Sequence, residues 1–212
     1  MLYEYDTLGR LVRAWQKDSS GNDVIYIENY FDSFGRSTGS KYIINGVSKT
    51  YKITYSEDSS RVENIRIPYL DANAAVRYTY DEFERVVQRR ITAPTLSHFE
   101  TYNYLGYTDT DGTVYTSSLI SGISLYSNVD GAMTAETYGY TYDANGNITS
   151  ISKNGSVINR YEYDSLNQLI CEDNIEADYT ELFVYDDSGN LYVRCKLDAC
   201  TDAPTSQIDY CN

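Results

Sequence analysis

The sequence predicts an all-β protein, built as a long antiparallel meander of β-hairpins. A turn motif recurs along the chain, Asn-Gly pairs lie between apolar stretches, and polar and apolar residues alternate before the turns. Alternation with a period of two is typical of strands, and Asn-Gly between such stretches is a strong hairpin signal. No long segment combines helical periodicity with helix caps.

The recurring motif is an aromatic residue, Asp, two variable residues, Gly or a substitute, a polar residue and usually an apolar residue. The first copy contains Tyr5, Asp6, Gly9 and Arg10. Five more copies follow, around Phe31, Asp32, Gly35 and Arg36; Tyr80, Asp81, Glu84 and Arg85; Tyr142, Asp143 and Gly146; Tyr163, Asp164 and Asn167; and Tyr185, Asp186 and Gly189. Recurrence of this kind indicates a repeat protein.

Each copy is interpreted as a tight hairpin turn. The Asp side chain can accept hydrogen bonds from the backbone amides that follow, and the Gly supplies a left-handed conformation that closes a bulged turn. Asn167 tolerates that conformation well. Glu84 does not, so we expect the turn at Asp81 to differ in type.

Hairpin turns of a second kind are predicted between the repeat turns. They are marked by Asn45-Gly46, Asn154-Gly155 and Ser19-Ser-Gly-Asn22. The two kinds alternate, which predicts strands of about eight residues through most of the chain. The apolar segment from Leu119 to Tyr126 cannot be assigned by period alone.

The repeat boundaries suggest one domain over residues 1–212. Clear repeats cover residues 3–90 and 138–194, a degenerate region covers 91–137, and a Cys-containing tail covers 195–212. A worn copy is expected at 55–62 and a remnant at 102–106. Because the sequence opens within a strand-like pattern and stops abruptly, we expect it to be a fragment of a longer protein.

Tyrosine is far above its ordinary usage, with 24 Tyr against 5 Phe and 1 Trp. Repeated positions at the same height of a sheet predict cross-strand ladders of tyrosine rings. A tyrosine hydroxyl can also face water or a neighbouring backbone group while its ring packs.

The charge balance argues against nucleic-acid binding. The chain has 17 basic and 31 acidic side chains, for a net charge of −14. Such a chain should repel a polyanion and an anionic membrane surface. No apolar stretch is long enough for a membrane-spanning helix, so no membrane insertion is expected.

The motif copies resemble the YD repeats of Rhs and YD-repeat proteins, whose unit reads roughly Y-D-x-x-G-R-L. The copy from Tyr5 to Leu11 matches at every fixed position. The resemblance implies a β-strip that spirals into a shell, which encloses a C-terminal toxin in bacterial relatives and forms part of an adhesive ectodomain in animal ones. It implies a secreted or cell-surface location in bacteria, with the remainder of a larger polypeptide as partner.

The family's Pro- and Gly-rich segment after the repeats has no match here, because the three prolines at 68, 94 and 204 are isolated. No cleavage aspartate and no toxin domain can therefore be assigned.

Candidate chemistry is sparse. The lone His98, with Ser97 and Glu100 nearby, is weighed as a catalytic base and set aside, because no converging partners are identified. Paired carboxylates such as Asp186-Asp187 suggest glycoside hydrolysis, but turn formation already accounts for the repeat aspartates.

Two metal sites are weighed as well. Asp109-Thr-Asp-Gly112 resembles the start of a calcium loop, but Ser118 stands where a bidentate Glu is required, so a hairpin turn is favoured. The four cysteines, Cys171, Cys195, Cys200 and Cys211, fit a zinc site poorly. Disulfides and free thiols stay open for them. We expect no catalytic residues, metal or cofactor.

The function that the sequence favours is a non-enzymatic structural module, a segment of a repeat shell that scaffolds or encapsulates part of a larger protein. The alternative is a carbohydrate- or protein-binding adhesin module that uses exposed tyrosine rows. An enzyme comes third.

Overall fold

The computed structural model describes residues 1–44, 46–57 and 59–198, with the backbone alone at residue 198. Within them lie 16 strands in one sheet, and each strand pairs with the next in sequence. All the pairings that we resolve are antiparallel. The described residues contain no helix, so the predicted all-β hairpin meander is confirmed.

The strands run as follows: β1 Leu2–Tyr5, β2 Leu11–Lys17, β3 Asp23–Phe31, β4 Ser37–Ile44, β5 Val47–Tyr55, β6 Val62–Arg66, β7 Ala75–Tyr80, β8 Val86–Ala93, β9 Leu96–Thr108, β10 Val114–Val129, β11 Ala132–Tyr142, β12 Ile148–Lys153, β13 Ser156–Tyr163, β14 Leu169–Asn174, β15 Tyr179–Tyr185 and β16 Leu191–Asp198.

The strands of the degenerate region are longer than expected. β9, β10 and β11 have 13, 16 and 11 residues, against the predicted eight or so. The motif remnant at 102–106 lies inside β9 and forms no turn. Because the turn motif is missing there, the chain continues as extended strand until the next turn sequence.

The Asn-Gly pairs make the short turns that the sequence predicts. Lys153 pairs with Ser156 across a two-residue loop in which Asn154 and Gly155 have φ of 51° and 84°. Two successive positive φ values are the requirement of a type I′ turn, whose twist matches that of the strands. At the other pair Gly46 has φ 77°, and Asn45 lies outside the described residues.

The chain divides into two compact units. One comprises residues 1–101 and 126–134, and the other residues 102–125 and 135–212. Fully buried apolar side chains are few in the described residues: Ala14, Ala74 and Ala75 in the first unit, Cys171 and Leu182 in the second. Most side chains are half-buried or exposed, so backbone pairing and side-chain bridges carry much of the stability. The single domain expected over 1–212 stays a prediction.

Neighbouring hairpins part near the repeat turns. The pairing of β4 with β5 extends only to Gly39 and Lys52, and that of β6 with β7 covers three residue pairs, ending at Asn64 and Arg77. Beyond these pairs the two strands no longer form a ladder. The repeat aromatic residues stand at these openings, because each is the last residue of its strand.

Among the described residues no helix is long and apolar enough to cross a bilayer.

Candidate functional site

The repeat turns form the candidate site, and the turn at Asp6 shows their geometry. The Asp6 N–H donates to the Arg10 carbonyl at 3.0 Å, and the Gly9 N–H donates to the Asp6 carbonyl at 3.0 Å. One carboxylate oxygen of Asp6 accepts the N–H groups of Leu8 and Arg10, each at 2.9 Å. The other oxygen accepts Nε of Arg10 at 2.6 Å. The carboxylate thus closes the loop from inside.

The same backbone pattern occurs at every copy of the motif. In each, the Asp N–H donates to the carbonyl four residues later, and the residue three positions after the Asp donates back to the Asp carbonyl. The aspartates in question are Asp6, Asp32, Asp81, Asp143, Asp164 and Asp186. The aromatic residue before the Asp pairs with the residue five positions after the Asp. The register of the two strands shifts at this pair, as in a β-bulge.

These contacts favour the ionised carboxylate. At Asp6 the Arg10 N–H has the largest effect, and at Asp143 the Asn147 amide does, and both pKa values lie below the ordinary value. At Asp32 and Asp81 burial acts most strongly and in the opposite direction. The hydrogen bonds and charge of Arg36 and Arg85 outweigh it, so these pKa values are lowered too.

The turn at Asp81 is of the same type as the others, so the expected difference is wrong. Glu84 has φ 65°, its N–H donates to the Asp81 carbonyl at 3.1 Å, and Asp81 N–H donates to Arg85 at 3.0 Å. Nε of Arg85 also donates to the Asp81 carboxylate at 2.8 Å. These bonds hold Glu84 in the left-handed region despite its Cβ.

Two further turns adopt the repeat geometry without the aromatic residue. Asp18 N–H donates to Asn22 at 2.9 Å, and Asp109 N–H donates to Thr113 at 3.0 Å. The turn at 19–22 was predicted to be of the second kind, and the structure corrects this. The feature of the sequence that indicates these turns is the Asp-x-x-Gly spacing. It was overlooked because the motif was defined to include a preceding aromatic residue.

The worn copy at 55–62 is also a turn. Ser56 N–H donates to the Arg61 carbonyl at 3.0 Å, and Tyr55 pairs with Val62 across a register shift. The hydroxyls of Ser56 and Ser59 lie 2.5 Å apart and occupy the place of the Asp carboxylate. A pair of serines therefore replaces the aspartate when one residue is inserted.

The repeat tyrosines fasten each hairpin to the one before it. Tyr185 Oη donates to the Leu169 carbonyl at 3.0 Å, across the opening between β14 and β15. Leu169 is the first residue after the preceding repeat turn, so it ends the strand ladder on that side. Equivalent bonds join Tyr55 to Ser37, Tyr80 to Val62, Tyr142 to Ile120 and Tyr163 to Ile148, at 2.6–3.0 Å. We call these bonds the tyrosine bridges.

Removal of the rings from water raises the pKa of Tyr80, Tyr142 and Tyr163 above the ordinary value. A neutral hydroxyl is the form that can donate to a carbonyl, so the bridges depend on it.

In the first unit the arginine of one repeat turn contacts the aromatic ring of the next repeat. The guanidinium carbon of Arg10 lies 4.3 Å from the centre of the Phe31 ring, and that of Arg36 lies 4.3 Å from the Tyr55 ring. Arg61 and Tyr80 are related in the same way at 5.4 Å. We expected the repeat rings to stack on each other, but these three rings each contact the arginine of the preceding turn instead.

Asparagines link neighbouring turns in the second unit. Nδ2 of Asn147 donates to the Asp143 carboxylate at 2.9 Å and to Oδ1 of Asn167 at 2.9 Å. Asn145 donates to the same oxygen at 2.8 Å. Amide hydrogen bonds thus take the role that arginine has in the first unit.

His98 belongs to a cross-strand polar network. Its Nδ1 lies 2.6 Å from Ser127 Oγ and its Nε2 lies 3.1 Å from the Glu100 carboxylate. Sequence reasoning considered the adjacent Ser97 and missed Ser127, which arrives from β10. Arg89 also donates to Glu100, at 2.9 Å. The Glu100 carboxylate is thus shared between the Arg89 guanidinium and the His98 ring.

The structure also describes the two candidate metal sites, the Asp109 loop and the cysteines. Both Asp109 and Asp111 accept backbone N–H groups within their own hairpin turn, as favoured over a calcium loop. No group of three or more His, Cys, Asp or Glu side chains suited to a metal ion occurs in the described ranges. Cys171 is buried and Cys195 is disulfide-bonded, whereas Cys200 and Cys211 lie outside the described residues.

No family model and no curated protein sequence matches the chain. Among solved structures, the Photorhabdus luminescens Tc holotoxin pore is similar over 92% of this chain and 9% of its own, with 21% identity and a TM-score of 0.45. The crystal structure of TcdB2-TccC3-Cdc42 is similar over 87% of this chain and 13% of its own, with 12% identity and a TM-score of 0.32. The crystal structure of TcdB2-TccC3-TEV is similar over 92% of this chain and 16% of its own, with 14% identity and a TM-score of 0.29.

The chain thus spans less than a fifth of these chains. The YD-repeat resemblance of the motif rests on the turns themselves. The fold and the turns define an antiparallel protein of repeated hairpins.

Proposed function

We propose that the chain is a non-enzymatic structural module, a segment of a YD-repeat strip that scaffolds or encloses part of a larger secreted or cell-surface protein. The observation that carries this proposal is the set of tyrosine bridges. Each fastens one hairpin to the preceding one by a side chain that reaches back across an opening in the sheet. Such nearest-neighbour contacts are the means by which repeat proteins build extended walls.

The use of the polar side chains supports the same proposal. The repeat aspartates bond to backbone amides of their own turns, as at Asp6 and Asp186. The arginines at Arg10 and Arg36 are engaged with those aspartates. Groups that could do chemistry therefore hold the framework together.

Limited proteolysis tests the proposal on the protein expressed with its native flanking sequence. We expect the flanking segment to be protected, and to become cleavable in a Tyr163→Phe/Tyr185→Phe variant that lacks two bridges. Tyr192→Phe is the matched control, because Tyr192 is 77% exposed. Cleavage of the flanking segment at one rate in all three proteins would contradict an enclosing role.

A carbohydrate- or protein-binding role is the second candidate, and one observation favours it. The rings of Tyr107 and Tyr115 are stacked with centroids 4.8 Å apart, and both are exposed, at 64% and 46%. They border a cavity of about 410 Å³ with Leu105 and Thr116. An exposed aromatic pair is a typical platform for a sugar ring. Loss of glycan-array binding in Tyr107→Ala/Tyr115→Ala would support this role.

A further inference from the structure

The tips of the repeat turns present large apolar side chains to solvent. The position two residues after the turn aspartate holds Leu or Phe in four of the six copies, at Leu8, Phe34, Phe83 and Leu166. Leu8 is 75% exposed and Phe34 is 80% exposed. Single exposed apolar residues are ordinary on a protein surface, but a recurring exposed set indicates a contact surface.

Turn formation does not require an apolar residue at this position. Asn145 and Ser188 occupy it in two other copies, and their N–H groups donate to the turn aspartate at 2.9 Å, as those of Leu8 and Phe34 do. Only the backbone of this residue takes part in the turn. The apolar side chains therefore serve a purpose other than the turn, and the turn holds them in a fixed place.

Leu8 and Phe34 stand on adjacent turns of the first unit. The guanidinium carbon of Arg10, in the first turn, lies 4.3 Å from the ring centre of Phe31, which precedes the second turn. A Cβ built on Gly35 in the second turn would lie 3.0 Å from Nη1 of Arg10. The two turns are thus neighbours, and their tips lie side by side at the edge of the sheet. We call Leu8 and Phe34 the tip pair.

The two turns that carry the tip pair have no net charge. Asp6 is ion-paired with Arg10 at 2.6 Å, and Asp32 with Arg36 at 2.7 Å. The other residues of both turns are uncharged. In a chain of net charge −14, repulsion opposes contact between two copies, and it is least where the local charges cancel.

Acidic residues stand on the turns that follow along the same edge. The worn turn contains two carboxylates, and Glu82 and Glu84 flank Phe83 in the turn after it. Arg61 approaches Glu84 at 3.8 Å, whereas Glu82 has no ion pair within the described residues. A contact between copies is therefore favoured at the first two turns and disfavoured at the turn of Phe83, although Phe83 is exposed as well.

We propose that the tip pair binds the tip pair of a second copy of this chain. A two-fold axis between the two turns places Leu8 of one copy against Phe34 of the other, so each apolar side chain meets an apolar one. This alignment also keeps the acidic turns of one copy away from those of the other, since they lie on opposite sides of the axis. An alignment centred on Phe34 would instead place Leu8 against the acidic worn turn.

The contact should be weak. A Phe side chain buries about 150–250 Å² at most, so two of them with two leucines fall short of the roughly 1,200 Å² of a stable interface. The fixed backbone of each tip reduces the ordering cost of the contact, and arginine beside an aromatic ring is a typical composition of a contact centre. Arg36 lies 5.2 Å from the Phe34 ring in this way. The inference does not depend on the proposed structural role.

Sedimentation equilibrium of the full chain over a wide concentration range tests the proposal. We expect a reversible equilibrium of monomer and dimer, with a dissociation constant of about 0.1–1 mM. Leu8→Ser/Phe34→Ser should weaken dimerisation roughly tenfold or more at an almost unchanged thermal melt, because Ser188 shows that serine fits this turn position. Phe83→Ser is the matched control and should dimerise as the parent does.

Disulfide trapping tests the alignment. Leu8→Cys and Phe34→Cys proteins, mixed in oxidised glutathione, should cross-link to each other faster than either protein cross-links to itself. The parent chain under the same conditions gives the background from its own cysteines.

Four outcomes would overturn the proposal. The first is a monomer at every concentration, and binding of that monomer to phosphatidylcholine vesicles would mean that the tips insert into a lipid surface instead. The second is a dimer that Leu8→Ser/Phe34→Ser leaves unchanged. The third is an equal weakening in Phe83→Ser, which would mean that any exposed apolar tip suffices. The fourth is self-cross-linking of either cysteine protein as fast as cross-linking in the mixture.

Discussion

The side-chain amide of Asn29 donates to the carbonyl oxygen of Leu11 at 3.0 Å. This bond occurs in the repeat whose aromatic residue, Phe31, has no hydroxyl. In later repeats a tyrosine hydroxyl donates to the equivalent carbonyl, as Tyr55 does to Ser37 at 2.7 Å. The acceptor is therefore the constant part of the bridge, and the donor can come from a different residue.

Asn29→Ala should lower the free energy of unfolding by about 1–3 kcal/mol, because it leaves the Leu11 carbonyl without its donor. Phe31→Tyr should recover part of this loss in the Asn29→Ala background, since it restores the hydroxyl found in the other repeats. In the parent chain Phe31→Tyr should give no gain. Urea denaturation of the three variants measures the free energy of unfolding. If Asn29→Ala and Asn29→Ala/Phe31→Tyr unfold with the same free energy, the tyrosine hydroxyl does not replace the asparagine amide.

Tyr185→Phe should cost about 0.5–1.5 kcal/mol, the ordinary net value of one hydrogen bond. The ring and its packing stay, so the loss reports on the bond to Leu169 alone. Tyr192→Phe serves as control, because Tyr192 is exposed at the end of the same hairpin. Chemical denaturation that gives the same stability for both variants would count against the bridge.

Glu84→Gly should stabilise the protein by about 0.5–1 kcal/mol, because Glu84 adopts φ 65° at a cost that glycine does not have. Gly146→Val should cost about 1–2 kcal/mol, since Gly146 has φ 88°. Space is not the cause, because a Cβ there would lie 3.8 Å from Leu119, an ordinary contact. Ala144→Val in the same turn is the control and should be near neutral. Thermal melts of the three variants measure these changes. A Glu84→Gly variant that is less stable than the parent would show that Glu84 is not strained.

Stability should fall at both ends of the pH scale. The folded-state pKa of Asp6, Asp32 and Asp143 is lowered, so their contribution is present above the unfolded pKa and is lost as the pH falls below about 4. The pKa of Tyr142 and Tyr163 is raised, so their contribution is complete below about pH 10 and is lost as the pH rises further. Denaturant titrations at a series of pH values measure the free energy of unfolding. Asp143→Asn should reduce the loss of stability at acid pH.

Arg36→Asn should cost about 0.5–2 kcal/mol through loss of the cation contact with the Tyr55 ring. Asparagine keeps a donor for the turn carboxylate, as Asn147 does at 2.9 Å, so the turn itself should survive. A double-mutant cycle with Tyr55→Leu isolates the contact between repeats. Strict additivity of the two single effects would show that the arginine acts only within its own turn.

The turns were predictable because their signal is local. An Asp followed by Gly three residues later specifies hydrogen bonds within five residues, and the sequence displays them directly. The same rule failed at Glu84, where intrinsic preference was given more weight than the bonds from Asp81 and Arg85. Hairpin turns were predicted at 19–22 and at Asp109, but their repeat-type geometry was missed, because the aromatic residue is not part of what makes the turn.

The tyrosine bridges were not predictable, because they depend on the register between strands. Nothing in the sequence reveals that Tyr185 meets Leu169, since that requires the opening between hairpins.

Every tyrosine bridge runs backwards: the donor belongs to a later hairpin and the acceptor to an earlier one, as in Tyr163 to Ile148 and Tyr185 to Leu169. During synthesis the acceptor therefore leaves the ribosome first. Each new hairpin finds its docking point already formed, and none has to wait for residues that are still untranslated. We expect vectorial folding from the amino terminus, in which the order of translation guides the order of assembly.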